Sequence, residues 1–240
     1  MTDPATLERT LLANEVYPSR ELTPGRLLIA RLVGRRFDDL LVQAGFDQPF
    51  DARLAKAMVK TAGHLAGALG AALAFAERSE ISLFAVAGGG DARRLASRLA
   101  GEASAKLSLL LGRVATFESR MFEVDDENLV LDYFAWRQEI AQATALDGYC
   151  RSALLKSGAD PSAIPLILND LARDDKHELL KQNAVDFAQL PAWQRLGSCV
   201  LLTPDDNGNG SGPSVRVLVD LNLPDGPQFR EYLEKSVATR

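Results

Sequence analysis

The chain has 240 residues, of which 47% are hydrophobic and 25% charged, and this composition excludes a wholly disordered protein. Its formal charge of −5 provides no overall basic field, so any binding of nucleic acid must come from local patches. Two cysteines, Cys150 and Cys199, are too few for a disulfide framework or a four-cysteine zinc site. No apolar run is long enough to span a bilayer. We therefore expect a soluble, cytoplasmic protein.

The first half of the chain predicts strands and helices in the order β-α-β-β-α-β. A compact, mainly apolar run, RLLIARLV, follows Pro24-Gly25 and indicates a buried strand. Later segments repeat apolar side chains at helical spacing. Two short strands with almost nothing between them indicate a tight hairpin. This order is that of a ferredoxin-like unit, a four-stranded antiparallel sheet with both helices on one face. The six predicted elements cover residues 26–33, 50–68, 70–77, 80–86, 91–111 and 114–124.

The pattern changes after residue 125. One long helical pattern is followed by two shorter helices and two late strands, and a polar stretch at residues 205–212 indicates a mobile loop between those strands. We predict an α+β protein, a ferredoxin-like βαββαβ palm with a helical C-terminal extension and late strands. The predicted divisions are an N-terminal segment (1–25), the palm (26–125), the helical extension (126–204), and a final loop, strand and tail (205–240). The helices and strands after the palm are predicted at residues 127–157, 161–171, 174–182, 197–202 and 215–221.

A palm that transfers nucleotides carries out its chemistry where its first strand ends and where its hairpin turns, because these two places are neighbours in the sheet. Each place normally offers a carboxylate, since two Mg²⁺ ions must be held a few ångströms apart. In this chain the first strand ends RLVGRRF at residues 31–37, and the hairpin reads AERSE at residues 76–80. These two segments are therefore the places to search for a site.

Both segments resemble motifs of the tRNA(His) guanylyltransferase family and its Thg1-like relatives. Residues 31–37 resemble R-[IL]-D-G-R-x-F, and residues 74–83 (AFAERSEISL) resemble A-Y-G-Q-S-D-E-Y-S-F. Five further similar segments follow in the family's order, and together they identify the chain as a member of the family over about residues 26–202. These five are FESR (117–120), DYFAWRQ (132–138), ALLKSG (153–158), DKHELL (175–180) and LPAW with GS (190–198).

The resemblance carries expectations about function. The family adds nucleotides in the 3′-to-5′ direction at tRNA 5′ ends and assembles as oligomers. It implies Mg²⁺ as cofactor, GTP or ATP as substrate or ligand, tRNA as partner, and a homo-oligomer. The family's His-containing stretch, linked to tRNA(His), reads QATA at residues 142–145, so specificity for tRNA(His) is not expected.

The metal-binding positions depart from the family's pattern. Val33 stands at the first metal-binding Asp, and Ser79 stands at the second in the ungapped alignment. Only the adjacent acid is retained, as Glu80, which is the candidate catalytic residue and, with the backbone of Gly34, the candidate metal ligand. Valine has no lone pair and a serine hydroxyl is a poor Mg²⁺ ligand, so we expect weak Mg²⁺ binding and a rate lower by several orders of magnitude. A one-residue shift would place Glu80 at the second Asp position but leave Val33 unrepaired.

The remaining candidate residues each have a structural alternative. The basic and glycine-containing turn after the first strand predicts phosphate binding, although the same residues would also suit a solvated turn. Mid-helix polar residues predict either RNA contacts or an internal hydrogen-bonding hub, and Lys176 with Glu178 suggests a local ion pair. We expect Glu77 and Glu80 to point to opposite faces of the hairpin. The nucleotide-binding candidates are Arg31, Gly34, Arg35, Arg36, Phe37 and Arg98, and the RNA or structural candidates are Arg137, Gln138, Lys176 and Glu178.

Three functions remain open from the sequence. The first is a Thg1-like protein that keeps the scaffold and binds nucleoside triphosphate or tRNA 5′ ends but is catalytically impaired. The second is an active, template-dependent 3′–5′ nucleotidyltransferase in tRNA 5′-end processing or repair, with relocated acids such as Glu77, Glu80 or Asp38. The third is a non-catalytic oligomeric interaction module.

Overall fold

A computed structural model describes residues 20–204 and 215–238. The predicted mobile loop at residues 205–212 lies outside the described residues, as does most of the predicted N-terminal segment. Six strands and eight α-helices are described, together with a short 3₁₀ turn (Phe187–Gln189). In chain order they are β1 (Leu27–Arg35), α1 (Phe37–Gln43), α2 (Ala52–Leu69), β2 (Leu73–Glu77), β3 (Glu80–Val86), α3 (Ala92–Leu111), β4 (Thr116–Val124), α4 (Glu127–Lys156), α5 (Ile164–Asp170), α6 (Arg173–Gln182), α7 (Ala192–Leu196), β5 (Ser198–Pro204), β6 (Val215–Asp220) and α8 (Pro227–Ala238).

The strands form one antiparallel sheet in the order β4-β1-β3-β2-β5-β6. The first four have the order of a ferredoxin-like unit, and the predicted α+β palm fold is confirmed. The late strands β5 and β6 extend the same sheet beyond β2, with β5 paired to β2. The predicted division into domains stays a prediction.

Both faces of the sheet are covered by helices. On one face, Ala30 and Leu32 of β1 pack in a core with Leu65 of α2 and Leu99 of α3. On the other face, the alternate residue Ile29 belongs to a second core, which α4 and α8 complete with aromatic and aliphatic side chains. Because successive side chains of a strand point to opposite faces, burial of both faces accounts for the four consecutive apolar residues at 27–30 that begin β1. The second core also contains Phe84, Phe134, Phe229 and Leu233.

The ends of the predicted helices are set by local chemistry. Asp51, Asp91 and Asp126 each precede a helix, and the side chain of each accepts a hydrogen bond from a backbone N–H of its first turn. Gly70 and Gly112 follow α2 and α3 with positive φ, a conformation that glycine adopts without steric cost. The ends of these three helices lie within two residues of the predicted ends.

Helices α1, α7 and α8 are not among the predicted elements. Helix α1 has only seven residues and follows Arg36, which has a left-handed backbone conformation. The side chain of Arg36 makes no capping hydrogen bond to the helix. Helix α8 buries Phe229, Leu233 and Val237, which lie four residues apart and form one apolar face. Within the described part of the chain, no helix has both the length and the apolar character needed to cross a membrane.

Candidate functional site

The end of β1 lies directly beside the turn between β2 and β3. The backbone N–H of Gly34 donates a hydrogen bond to the carbonyl oxygen of Ser79 over 2.8 Å. One position earlier in β1, Val33 is the cross-strand partner of Glu80. The fold therefore brings together the two segments in which the sequence suggested a site.

Four charged side chains form a partly buried network beside this turn, called here the ion network: Arg31, Glu77, Glu80 and Arg137. Arg31 donates to both oxygens of Glu80, from Nε over 2.7 Å and from Nη2 over 3.0 Å. Arg137 extends from α4 and donates through Nη2 to Glu80 over 2.8 Å and also to Glu77. Its side chain is only 2% exposed and that of Glu77 is 10% exposed. The network thus fastens α4 to the hairpin.

The prediction that Glu77 and Glu80 point to opposite faces is wrong. The two residues are cross-strand partners at the hairpin end, and directly opposed residues of an antiparallel pair share a face. Both carboxylates therefore reach the same guanidinium of Arg137. Burial raises the pKa of Glu77 from 4.5 to about 7, an effect that Arg137 partly offsets and the charge of Glu80 reinforces. Glu77 is the member of the network whose charge the fold opposes.

The side chains around the turn do not fit a two-metal Mg²⁺ centre. Val33 offers no oxygen, and both oxygens of Glu80 already accept hydrogen bonds from guanidinium groups. A divalent cation bound to Glu80 would compete with two guanidinium charges for one carboxylate. Across residues 20–204 and 215–238, no three His, Cys, Asp or Glu side chains converge in a way that could hold a metal ion. Glu80 therefore acts in the structure as an ion-pair partner of two arginines.

Gly34 and Phe37 have a packing role at the end of β1. A Cβ atom added at Gly34 would lie 2.2 Å from Cε2 of the Phe37 ring, which is far inside van der Waals contact. The ring is buried and packs edge-on against Phe117 of β4, with centroids 5.4 Å apart. This close contact explains the glycine without reference to a ligand, although the Gly34 backbone remains next to the turn.

The other predicted phosphate-binding arginines lie in exposed ion pairs. Arg35 pairs with Glu118 over 3.2 Å, and Arg36 pairs with Asp39 over 2.9 Å. Both follow Gly34 at the end of β1, and their side chains are 59% and 83% exposed. Arg98 lies on α3, which covers the opposite face of the sheet from the ion network, and its pairing distance to a carboxylate on the same helix is 4.0 Å. The structure thus groups Arg35 and Arg36 with the turn and does not bring Arg98 to the ion network.

Arg78 is a basic residue at the turn that the sequence interpretation did not select. It stands between Glu77 and Ser79, at the position where the family's hairpin motif has serine. Its Nη2 donates to Asp38 at the start of α1 over 2.8 Å and to Gln48 over 3.3 Å. The departure from serine to arginine in the quoted motif is the sequence signal that could have identified it.

The polar candidates on the helical side are mostly internal contacts. Gln138 donates to the carbonyl oxygen of Pro224, and this contact links α4 to the segment before α8. Lys176 pairs with Asp147 of α4 over 2.7 Å, so the predicted pairing of Lys176 with Glu178 is wrong. Residues two apart on a helix do not face each other, which accounts for the difference. These contacts, like that of Arg137, favour a structural role.

Gln142 begins the stretch that corresponds to the family's His-containing segment. Its amide donates to Asp225 over 3.2 Å, and its oxygen accepts a hydrogen bond from Arg173 of α6. The side chain is thereby involved in contacts between α4 and its neighbours. This arrangement adds no feature that would favour one tRNA over another.

The sequence matches the family model for tRNA(His) guanylyltransferase over residues 13–128. Among curated proteins, tRNA(His) guanylyltransferase 1 of Arabidopsis thaliana is 31% identical over 102 residues, which cover 39% of this chain and 18% of that protein. Its paralogue, tRNA(His) guanylyltransferase 2, is 30% identical over 89 residues, covering 37% of this chain and 17% of the relative. The chain therefore matches less than a fifth of the length of either plant protein.

Solved structures of similar fold cover nearly the whole chain. A bacterial tRNA(His) guanylyltransferase (Thg1)-like protein in complex with ATP superimposes with a TM-score of 0.76 at 23% identity, covering 99% of both chains. The GTP complex of such a bacterial protein gives 0.74 at 24% identity, covering 97% of this chain and 99% of the other. The tRNA(His) guanylyltransferase of Saccharomyces cerevisiae gives 0.69 at 18% identity, over 85% of this chain and 94% of the other.

Proposed function

We propose that this chain, which matches the tRNA(His) guanylyltransferase family model over residues 13–128, is a Thg1-like member of that family that binds a nucleoside triphosphate and tRNA 5′ ends but is impaired in nucleotide transfer. The observation that carries this proposal is the bonding of Glu80, the one acid retained from the metal-binding motifs. Its two oxygens are held by Arg31 and Arg137. A carboxylate held in this way is a poor ligand for Mg²⁺, and without the ions the transferred phosphate loses its main charge stabilisation.

The alternative of an active enzyme with relocated acids receives no support from the contacts of those acids. Glu77 bonds to Arg137, and Asp38 bonds to Arg78. Each carboxylate is therefore already paired with a cation, and Glu77, the acid that lies beside Glu80, contacts the same guanidinium of Arg137. We accordingly favour binding over catalysis.

Ligand binding is proposed from the likeness to relatives and from the charges at the turn. Similar structures of bacterial relatives are complexes with ATP and with GTP. Arg35 and Arg36 follow Gly34 and lie in exposed ion pairs, which contribute little to stability. Each arginine can therefore exchange its carboxylate partner for a phosphate. The names of the relatives indicate tRNA as the RNA partner. The predicted homo-oligomer and cytoplasmic location stay predictions.

The test compares binding and transfer in the same preparation. Titration calorimetry with GTP and ATP measures binding, and incorporation of labelled nucleotide into a 5′-truncated tRNA measures transfer. We expect the native protein to bind nucleotide with no measurable incorporation. The Val33→Asp/Ser79→Asp variant should bind nucleotide about tenfold more tightly with Mg²⁺ than without it, because carboxylates are restored at both metal positions.

The matched control is Val33→Asn/Ser79→Asn, which adds polar groups of the same size without charge and should show no gain with Mg²⁺. Mg²⁺-dependent incorporation by the native protein, abolished by Glu80→Gln, would contradict the proposed impairment. Failure of the native protein to bind either nucleotide or tRNA would instead favour the non-catalytic interaction module.

A further inference from the structure

Arg78 lies at the tip of the hairpin, next to the position of a missing metal-binding carboxylate. It directly precedes Ser79, whose carbonyl oxygen accepts the hydrogen bond from the Gly34 N–H. The same turn in the family's motif carries a serine at this point and an aspartate at the next. In this chain the hairpin tip has therefore lost an acid and gained a guanidinium.

The guanidinium of Arg78 is not fully satisfied by its present partners. One nitrogen, Nη2, donates to Asp38 and Gln48, whereas Nε is buried and has no hydrogen-bond partner among the described residues. Asp38 has a side chain that is 82% exposed, so its ion pair with Arg78 is weakened by solvent. The Arg78 side chain is itself 25% exposed, so it can exchange Asp38 for an anionic ligand at small cost, and turning toward that ligand would bring the buried Nε to an acceptor.

The neighbouring arginines divide into two groups. Arg137 is buried in the ion network, and Arg31 is committed to both oxygens of Glu80. Arg35 and Arg36 follow Gly34 and are exposed, and Asp38, the partner of Arg78, follows two residues after Arg36. Arg35, Arg36 and Arg78 thus lie on two adjacent turns, which are joined by the Gly34–Ser79 hydrogen bond and by the Arg78–Asp38 pair.

We propose that Arg78, with Arg35 and Arg36, holds the polyphosphate of a nucleotide directly, so that binding requires no divalent ion. This inference rests on the proposed function and adds to it a binding residue and a metal-independent mode. A guanidinium suits the role because its planar fork donates two parallel hydrogen bonds to phosphate oxygens and keeps its charge at every physiological pH. Serine at the same position would supply neither the charge nor the fork.

The experiment measures binding of GTP, and of inorganic tripolyphosphate as a probe without a base, in excess EDTA and in excess Mg²⁺. The variants are Arg78→Ser, which introduces the family's residue, and Arg94→Ser, a matched loss of one exposed arginine. Arg94 lies at the start of α3. This helix follows β3, at the end of the strand that is farther from the hairpin. Circular dichroism and the thermal midpoint of each variant establish that it is folded.

We expect the native protein to bind both probes at least as tightly in EDTA as in Mg²⁺. Arg78→Ser should bind both probes at least about tenfold more weakly than the native protein does, because a charge-assisted hydrogen bond is lost. Arg94→Ser should bind as the native protein does. Equal binding by the two variants, or native binding that disappears in EDTA, would overturn this inference and leave the proposed function standing. Native protein that binds neither probe under either condition would overturn both.

Discussion

The Glu77→Gln variant tests the electrostatics of the ion network. Glutamine has nearly the shape of a protonated glutamic acid, and it is the residue at this position in the family's hairpin motif. Burial raises the pKa of the Glu77 carboxyl from 4.5 to about 7, although Arg137 partly opposes the effect. The folded protein therefore binds this proton more tightly than the unfolded chain does.

The sign and size of the effect follow from that difference. Because the pKa is higher in the folded state, the contribution of Glu77 to stability is fully present below about pH 4.5. It is lost as the pH rises to about 7. At about 1.4 kcal/mol per pKa unit, ionising the carboxyl costs the folded protein about 3 kcal/mol above pH 7. Glutamine cannot ionise, so the variant avoids this cost.

Urea unfolding of the native and variant proteins at about pH 5 and about pH 8 provides the measurement. We expect similar free energies of unfolding at the lower pH and a variant more stable by about 2–3 kcal/mol at the higher pH. A native protein that gains stability over the variant as the pH rises would show that attraction to Arg137 outweighs burial, and it would refute the reasoning.

Two further substitutions test the packing and the charges of the site. Gly34→Ala should lower the free energy of unfolding by about 1–3 kcal/mol, because the added methyl group would overlap the Phe37 ring. Urea unfolding measures this loss. An additional Phe37→Leu change should recover part of it, because the smaller side chain leaves room for the methyl group. Arg137→Met should cost about 3–5 kcal/mol in the same assay, because it leaves Glu77 buried without its cation and removes one of the two cations at Glu80. Lys176→Met, which breaks the more exposed pair with Asp147, should cost about 1 kcal/mol. Equal losses for Arg137→Met and Lys176→Met would contradict the role assigned to the network.

The sequence predicts most of the fold because its local signals agree with one another. The apolar run of β1 and the aspartate caps of α2, α3 and α4 each indicate one type of element, and the order of those elements specifies the palm. Helix α8 also has a signal, since Phe229 and Leu233 stand at helical spacing after Pro227. The packing of α8 on the sheet could not be predicted, because α8 shares one face of the sheet with α4 and its place depends on the area that α4 leaves uncovered.

The candidate site is less predictable than the fold because its contacts join distant parts of the chain. Arg137 lies sixty residues beyond Glu77, and nothing local in α4 indicates which carboxylates its side chain meets. The error on Glu77 and Glu80 has a more specific origin. Alternation of side chains holds along a strand, whereas two residues opposed across a tight turn share a face. Exact register, rather than spacing along the chain, determines which charges meet.

The departures from the family's pattern change the charge of the site as a group. The family motifs quoted above place three carboxylates at the positions of Val33 and of residues 77–80, a charge suited to holding divalent cations. The same positions here carry Glu77, Arg78 and Glu80, so their net formal charge is less negative by two. Loss of the ions alone would leave the remaining acids to repel a polyphosphate. Because arginines neutralise Glu77 and Glu80, and Arg78 adds a cation at the hairpin tip, that repulsion is reduced. The combined substitutions therefore fit a site that binds phosphate without metal better than a site that has only lost its metal.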